Sequence, residues 1–324
     1  MNFLLEYVRG FVQLCYNKIA MLFEAREDVK MIRLENKNLS VEISEAGAEI
    51  KRVYHLKHGI DYMWNGNPDF WGRTAPVLFP IVGRVVDDTY LVEGQAYSLS
   101  QHGFARDLTF DVLSRTDQEV WFELKSTTET LKKYPFEFSL KIGYELQDET
   151  VTVKWQVDNL NEQVMPFSIG AHPAFSTKLQ PDDQTSDYYL HLETNEGVET
   201  FLFDRDSGLM SEEKVELIDN LKLLPLNAEL FAEYPTLILE GETGLTLKAY
   251  DHDYEVHVAF DGFPYVGIWS PINQEGEIAP FVCIEPWYGL TDTVTDPQDL
   301  HTKKGIQRIN PRESFLTEYS LTFK

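Results

Sequence analysis

Cysteine is almost missing from this chain. Only Cys15 and Cys283 occur, far apart in the sequence. Two isolated thiols give neither a disulfide framework nor a cysteine-based zinc site, and such sparse use fits a reducing cytoplasm. Basic residues are also scarce, with 28 Lys and Arg against 53 Asp and Glu, a net charge of −25. A polyanion binder needs basic surface, so neither nucleic acid nor an anionic membrane is an expected partner. The acidity is spread along the chain and reads as a soluble, self-repelling surface. Uninterrupted apolar runs are lacking too. The most apolar stretch, residues 1–30, is broken by Glu6, Arg9 and Lys18. It has no basic leader or A-x-A cleavage site, and a spanning helix needs about 20 mostly uncharged residues. It is read as an appendage of helical pattern outside the core domain, with an amphipathic helix docked on the domain or a membrane surface as the other reading. No G-x-S-x-G, P-loop or G-x-G-x-x-G is present, and no H-x-H, H-E-x-x-H or C-x-x-C. Serine hydrolase, nucleotide, dinucleotide and metal-centre readings therefore have no motif to rest on.

What is present is a period of two. Leu39, Val41 and Ile43 alternate with polar residues, as do Leu140, Ile142, Tyr144 and Leu146, then Val151, Val153, Trp155 and Val157. Later runs repeat the pattern at Leu245–Ala249, Val256–Phe260 and Tyr319–Phe323. Turn signals at Gly47, Gly59, Gly94, Asp148 and Gly244 separate them. Hydrophobic residues make up 43% of the chain, enough to bury a sizeable core. Many short alternating strands with polar turns predict an all-β antiparallel sandwich. Two short helices are expected, one after Asn67 and one from Ser211, where S-E-E-K looks like a capping box. No linker or repeat divides the chain, so residues 31–324 are read as one domain. The concave face of a large sheet would offer a groove to a polyhydroxylated ligand.

Three stretches hold residues that could carry chemistry. His172 stands in F-S-I-G-A-H-P-A-F, before Pro173, which biases it to extended backbone. His102 stands in Q-H-G-F-A-R. Taken alone, each histidine fits a functional or a structural role equally well; the other six read as surface or satisfied positions. Glu285 lies in the apolar run F-V-C-I-E-P-W, where a carboxylate is costly unless paired or used. Burial would raise its pKa toward that of a general base, while a structural salt bridge with Arg84 is the alternative. Arg84 follows A-P-V-L-F-P-I-V-G and needs acceptors, from protein carboxylates or ligand hydroxyls. Arg106 and Arg73 are either a phosphate clamp or structural. Of the many aromatics, most are expected in the core; Phe263, Trp269 and Trp287 are the candidates to contact a sugar ring.

Together these stretches resemble the aldose 1-epimerase (mutarotase) family, most closely its LacX-like branch. The matching elements are L-S-V-E-I-S-E-A-G-A-E-I, F-P-I-V-G-R, Q-H-G-F-A-R, G-A-H-P-A-F, F-P-Y-V-G-I-W-S-P and C-I-E-P-W-Y-G, in order over nearly the whole domain. The resemblance implies a galactose mutarotase-like β-supersandwich, no metal, no organic cofactor and a monosaccharide substrate. It implies Glu285 as general base, His172 as general acid, and His102 and Arg84 as ring-binding groups. One departure stands out. Where the family places a hydroxyl-binding aspartate, this chain has Glu233 and Tyr234, so either Glu233 substitutes or that contact is lost. The activity implied is interconversion of α and β anomers. Hexose-6-phosphate 1-epimerase and a non-catalytic carbohydrate-binding protein are the alternatives. A glycoside hydrolase would normally need two carboxylates, and only Glu285 has a motif context.

Overall fold

In the strand Thr150–Asn159, Val151, Val153, Trp155 and Val157 turn inward and their neighbours outward, as a pleat with one buried face requires. The computed structural model describes residues 30–193, 198–218, 222–296 and 298–324. The appendage expected over residues 1–30 lies outside them, apart from Lys30.

The same alternation builds the larger of two main sheets, whereas the central strands of the second, such as Phe281–Tyr288 and Ile169–Ala171, are buried on both faces. The larger has nine strands, in the order Leu223–Pro225, Tyr188–Leu192, Gly244–Ala249, Glu255–Ala259, Ser314–Phe323, Thr150–Asn159, Phe138–Gln147, Glu119–Lys125 and Asp111–Arg115. The second runs Leu237–Glu240, Tyr265–Trp269, Phe281–Tyr288, Ile169–Ala171 and Val77–Leu78, with Ala174–Ser176 also paired to Phe281–Tyr288. Its pairings are antiparallel, with Gly267 opposite Glu285 and Gly170 opposite Trp287. Aromatic pairs close the space between the sheets. Phe79 meets Phe138 at 5.0 Å between ring centroids, and Phe175 meets Phe323 at 6.4 Å. Side chains of this size dominate the energetics of such a core. The molecule is thus an all-β sandwich of large antiparallel sheets.

Neither expected helix forms. After Asn67 the chain makes a turn in which the Phe70 and Trp71 N–H groups donate to the Asn67 carbonyl. The segment from Ser211 lies within the strand Leu209–Ile218, paired with Val198–Asp204. The Ser211 hydroxyl accepts from the Glu213 N–H in a local turn, and Lys214 pairs with Glu240. Cross-strand partners outweigh a weak helical preference. Among the described residues the α-helices are Thr128–Leu131, capped by Thr127, and Ala228–Glu233, capped by Asn227.

Phe263 is a correction of another kind. It packs in the core against Trp155, Tyr319 and Tyr288, and is not part of the cleft described below.

Candidate active site

The strand Phe281–Tyr288 carries the key residues on one face. Side chains two apart in a strand point the same way, so Cys283, Glu285 and Trp287 share that face. The Trp287 ring needs room on both flanks, and the flanking strands supply it with glycine. A Cβ on Gly267 would come within 2.4 Å of the indole, and one on Gly170 within 2.6 Å. His172 follows the strand Ile169–Ala171 and so enters from the neighbouring strand.

Here His172 Nε2 stands 3.2 Å from Glu285 Oε2. Glu285 is 1% exposed and His172 7%. The imidazole is fixed between rings. Trp71 stacks on it at 4.7 Å, while Trp269 and His102 meet it edge-on at 5.7 and 5.6 Å. His172 Nδ1 and Glu285 Oε2 are buried without regular hydrogen bonds. Burying an isolated charge costs several kcal/mol even after relaxation, so both groups are pushed to their uncharged forms. Burial, helped by the charges of Arg106 and Arg73, depresses His172 to about 3. Burial raises Glu285 well above the usual carboxylate range, opposed by the nearby Trp287 indole. The pair therefore holds one transferable proton, resting on the carboxyl group.

His102 is held differently. Its backbone has φ of +66°, a sparsely populated region for a residue with a side chain, of the sort that collects at functional sites. Two bonds to Gly83 hold it there. The His102 N–H donates to the Gly83 carbonyl at 2.8 Å, and its Nδ1 accepts from the Gly83 N–H at 3.1 Å. Burial, then His172 and Arg106, keeps the ring neutral. With Nδ1 accepting, the ring proton sits on Nε2 as a donor.

These groups line one cleft of about 460 Å³, a size that suits a monosaccharide. His102, His172, Glu285, Arg84, Arg106, Trp269 and Trp287 all contribute to it.

The comparisons with known proteins agree with this geometry. The aldose 1-epimerase family model matches residues 30–307. The chain belongs to the aldose 1-epimerase family. Relatives include the plasmid and chromosomal LacX proteins of Lactococcus lactis subsp. lactis. Each is 29% identical over 299 residues, covering 90% of this chain and 98% of the relative. Among solved structures, a galactose mutarotase related enzyme from Lactobacillus acidophilus superposes with a TM-score of 0.85 at 33% identity, covering 91% of this chain and 97% of that one. A galactose mutarotase-like protein from Lactobacillus casei gives 0.84, also at 33%, covering 91% and 100%. The sandwich is thus the galactose mutarotase-like fold.

Two alternatives left open by the sequence are narrowed at the cleft. Glu233, at the end of the helix Ala228–Glu233, is exposed and lies outside the cleft lining; Asp206 lines it instead. Arg73 is tied to Asp107 at 2.6 Å and does not line the cleft. Among the lining residues not singled out as site candidates in the sequence are Trp71, Arg205 and Asp206. Trp71 could have been found among the aromatics. Arg205 and Asp206 sit in the polar turn D-R-D-S-G, whose nearness to the site only tertiary structure reveals.

That turn joins the strands Val198–Asp204 and Leu209–Ile218 and folds against Arg84. The Arg84 N–H donates to the Thr291 hydroxyl at 3.0 Å, and that hydroxyl donates to the Gly208 carbonyl at 2.8 Å. Thr291, 3% exposed, thus clamps the turn to the Arg84 segment.

Proposed function

We propose that this chain interconverts the α and β anomers of an aldohexose by acid–base ring opening. The observation that carries this reading is the facing of Glu285 Oε2 and His172 Nε2 at 3.2 Å inside a sugar-sized cleft. The two reacting oxygens of a cyclic hemiacetal, the C1 hydroxyl and O5, are bonded to the same carbon. A base and an acid serving them must be neighbours, as these are.

In this mechanism the Glu285 carboxylate takes the C1 hydroxyl proton while protonated His172 gives its proton to O5, and the C1–O5 bond breaks. The aldehyde rotates about C1–C2 and recloses on its other face. The empty site keeps its one proton on Glu285. Entering sugar hydroxyls donate to the carboxylate, and such bonds favour its charged form, so the proton passes to His172. His102 Nε2–H donates on the ring-oxygen side, and Arg84 and Asp206 hold more distant hydroxyls. A placed acid or base contributes about 10²–10⁴-fold. Polarimetry on freshly dissolved α-glucose and α-galactose, with and without protein, tests the reading. No acceleration with any aldose would sink it in favour of a carbohydrate-binding protein.

A second reading concerns the substrate. In a chain of net charge −25, the cleft is lined by Arg84, Arg106 and Arg205, with Asp206 and Glu285 as its acids. Neither Arg106 nor Arg205 has a carboxylate ion-pair partner among the described residues, and Arg106 Nε is buried unpartnered. Three guanidiniums around a cleft whose buried acid is neutral favour a phosphorylated hexose. Comparing rates on glucose, galactose and their 6-phosphates decides between them.

A further inference from the structure

We infer that His172, Cys283 and Glu285 form a binding site for a borderline-soft divalent cation of the zinc type, and that the bound ion shuts the cleft. Imidazole nitrogen, thiol sulfur and carboxylate oxygen of these residues all lie within 4.8 Å of one another. Zinc takes such ligands at about 2.0–2.3 Å, so two donors on one tetrahedral ion are separated by about 3.3–3.8 Å. His172 Nε2 and Glu285 Oε2 already stand 3.2 Å apart. The thiol comes from the same strand face two residues before Glu285, and its adjustment is a side-chain rotation. Buried donors without partners point to a ligand. Glu285 Oε2 is orphaned, in a residue 1% exposed. His172 and Glu285 line the cleft, so water from it could complete the shell.

The cluster of Asp183, Asp251 and His252 looks similar on composition but differs in bonding. There His252 Nδ1 accepts from the Tyr254 N–H, Nε2 meets Asp183 at 3.3 Å, and the Tyr188 hydroxyl bonds Asp183. Its central donors are committed within the protein.

Zinc in the first site would occupy the carboxylate and imidazole that face the sugar. The ion would therefore act as a competitive, chelator-reversible blocker. Cys283 is needed for the metal but touches no substrate.

The test uses the full chain, cobalt(II) as spectroscopic probe and zinc as competitor, without sugar. Wild type should show the near-ultraviolet absorption of a thiolate–cobalt bond, displaced by zinc. Cys283→Ala should lose that band and bind zinc at least about tenfold more weakly, since even losing an outer partner of a ligand costs 10–100-fold. Its melting temperature should stay near wild type. Cys15 is present in both proteins and cancels. Should Cys283→Ala fold poorly, His172→Asn must weaken zinc to the same degree. Equal zinc affinity in wild type and variants, or a cobalt spectrum without sulfur ligation, would overturn the site. Because sugar is absent, the result stands apart from whether the chain is an epimerase.

Discussion

Glu285 and His172 bias stability in opposite pH directions. His172 is depressed from 6.5 to about 3 in the fold. Between those values the unfolded chain binds the extra proton, so stability falls as pH drops through that window. Glu285 is raised from 4.5, so the folded chain holds the extra proton and stability declines as pH rises above that value. His172→Asn should therefore lose less stability than wild type when thermal melts are moved from pH 7 to pH 5. Glu285→Gln should gain on wild type as melts are moved from pH 5 to pH 8. A variant tracking the wild-type profile would show its residue to be solvated. Glu285→Gln should also cut anomer interconversion by at least about 10²-fold with the fold intact. Near-wild-type turnover would remove Glu285 as the base. These residues could be read in advance because glycine, proline and apolar neighbours mark an anomalous carboxylate and imidazole. Phe263 misled because an aromatic beside glycine looks alike whether it faces a cleft or a core. Glu233 could not be decided because chain position alone does not say which way a helix end points.

The Val198–Ile218 hairpin is the element that brings residues to the site which the sequence did not single out. Its turn is held by Thr291, whose hydroxyl links the Arg84 N–H to the Gly208 carbonyl. Thr291→Val keeps the shape but removes that link, leaving buried polar groups unpaired at a cost of about 1–3 kcal/mol. If the turn holds sugar hydroxyls and not the reacting oxygens, as proposed, KM should rise severalfold while kcat changes little. A fall in kcat with unchanged KM would mean that Thr291 supports the catalytic pair instead. The central strands of the larger sheet were legible from their alternation, whereas those of the second sheet, buried on both faces, carry no such period. The hairpin strand from Ser211 was not, since S-E-E-K-V-E-L-I fits a capped helix until Val198–Asp204 is there to pair with it. V-E-L-I carried the only hint, a period of two.

Across the whole molecule, charge is uneven. An acidic exterior surrounds a cleft lined by arginines. If the sugar carries a phosphate, its capture should weaken as ionic strength rises from about 10 mM to 0.15 M, where the screening length shortens from about 30 to 8 Å. A neutral hexose should be nearly indifferent to salt. Arg205→Ala should lower kcat/KM for the phosphorylated sugar by about tenfold and leave the free hexose within about twofold. Equal losses on both sugars would mean that the rim does not read charge. The sign of the whole chain could be counted from composition, and Arg84 and Arg106 were candidates in advance, but the arrival of Arg205 beside them could not be read, because it comes there only on folding.

On the proposed mechanism, chemistry and recognition are also housed apart. Glu285 is sunk in a paired strand of the second sheet, whereas Arg205 and Asp206 ride on a short solvent-facing bend. Replacing that bend would then alter which sugar is held while leaving the acid–base pair beneath it in place.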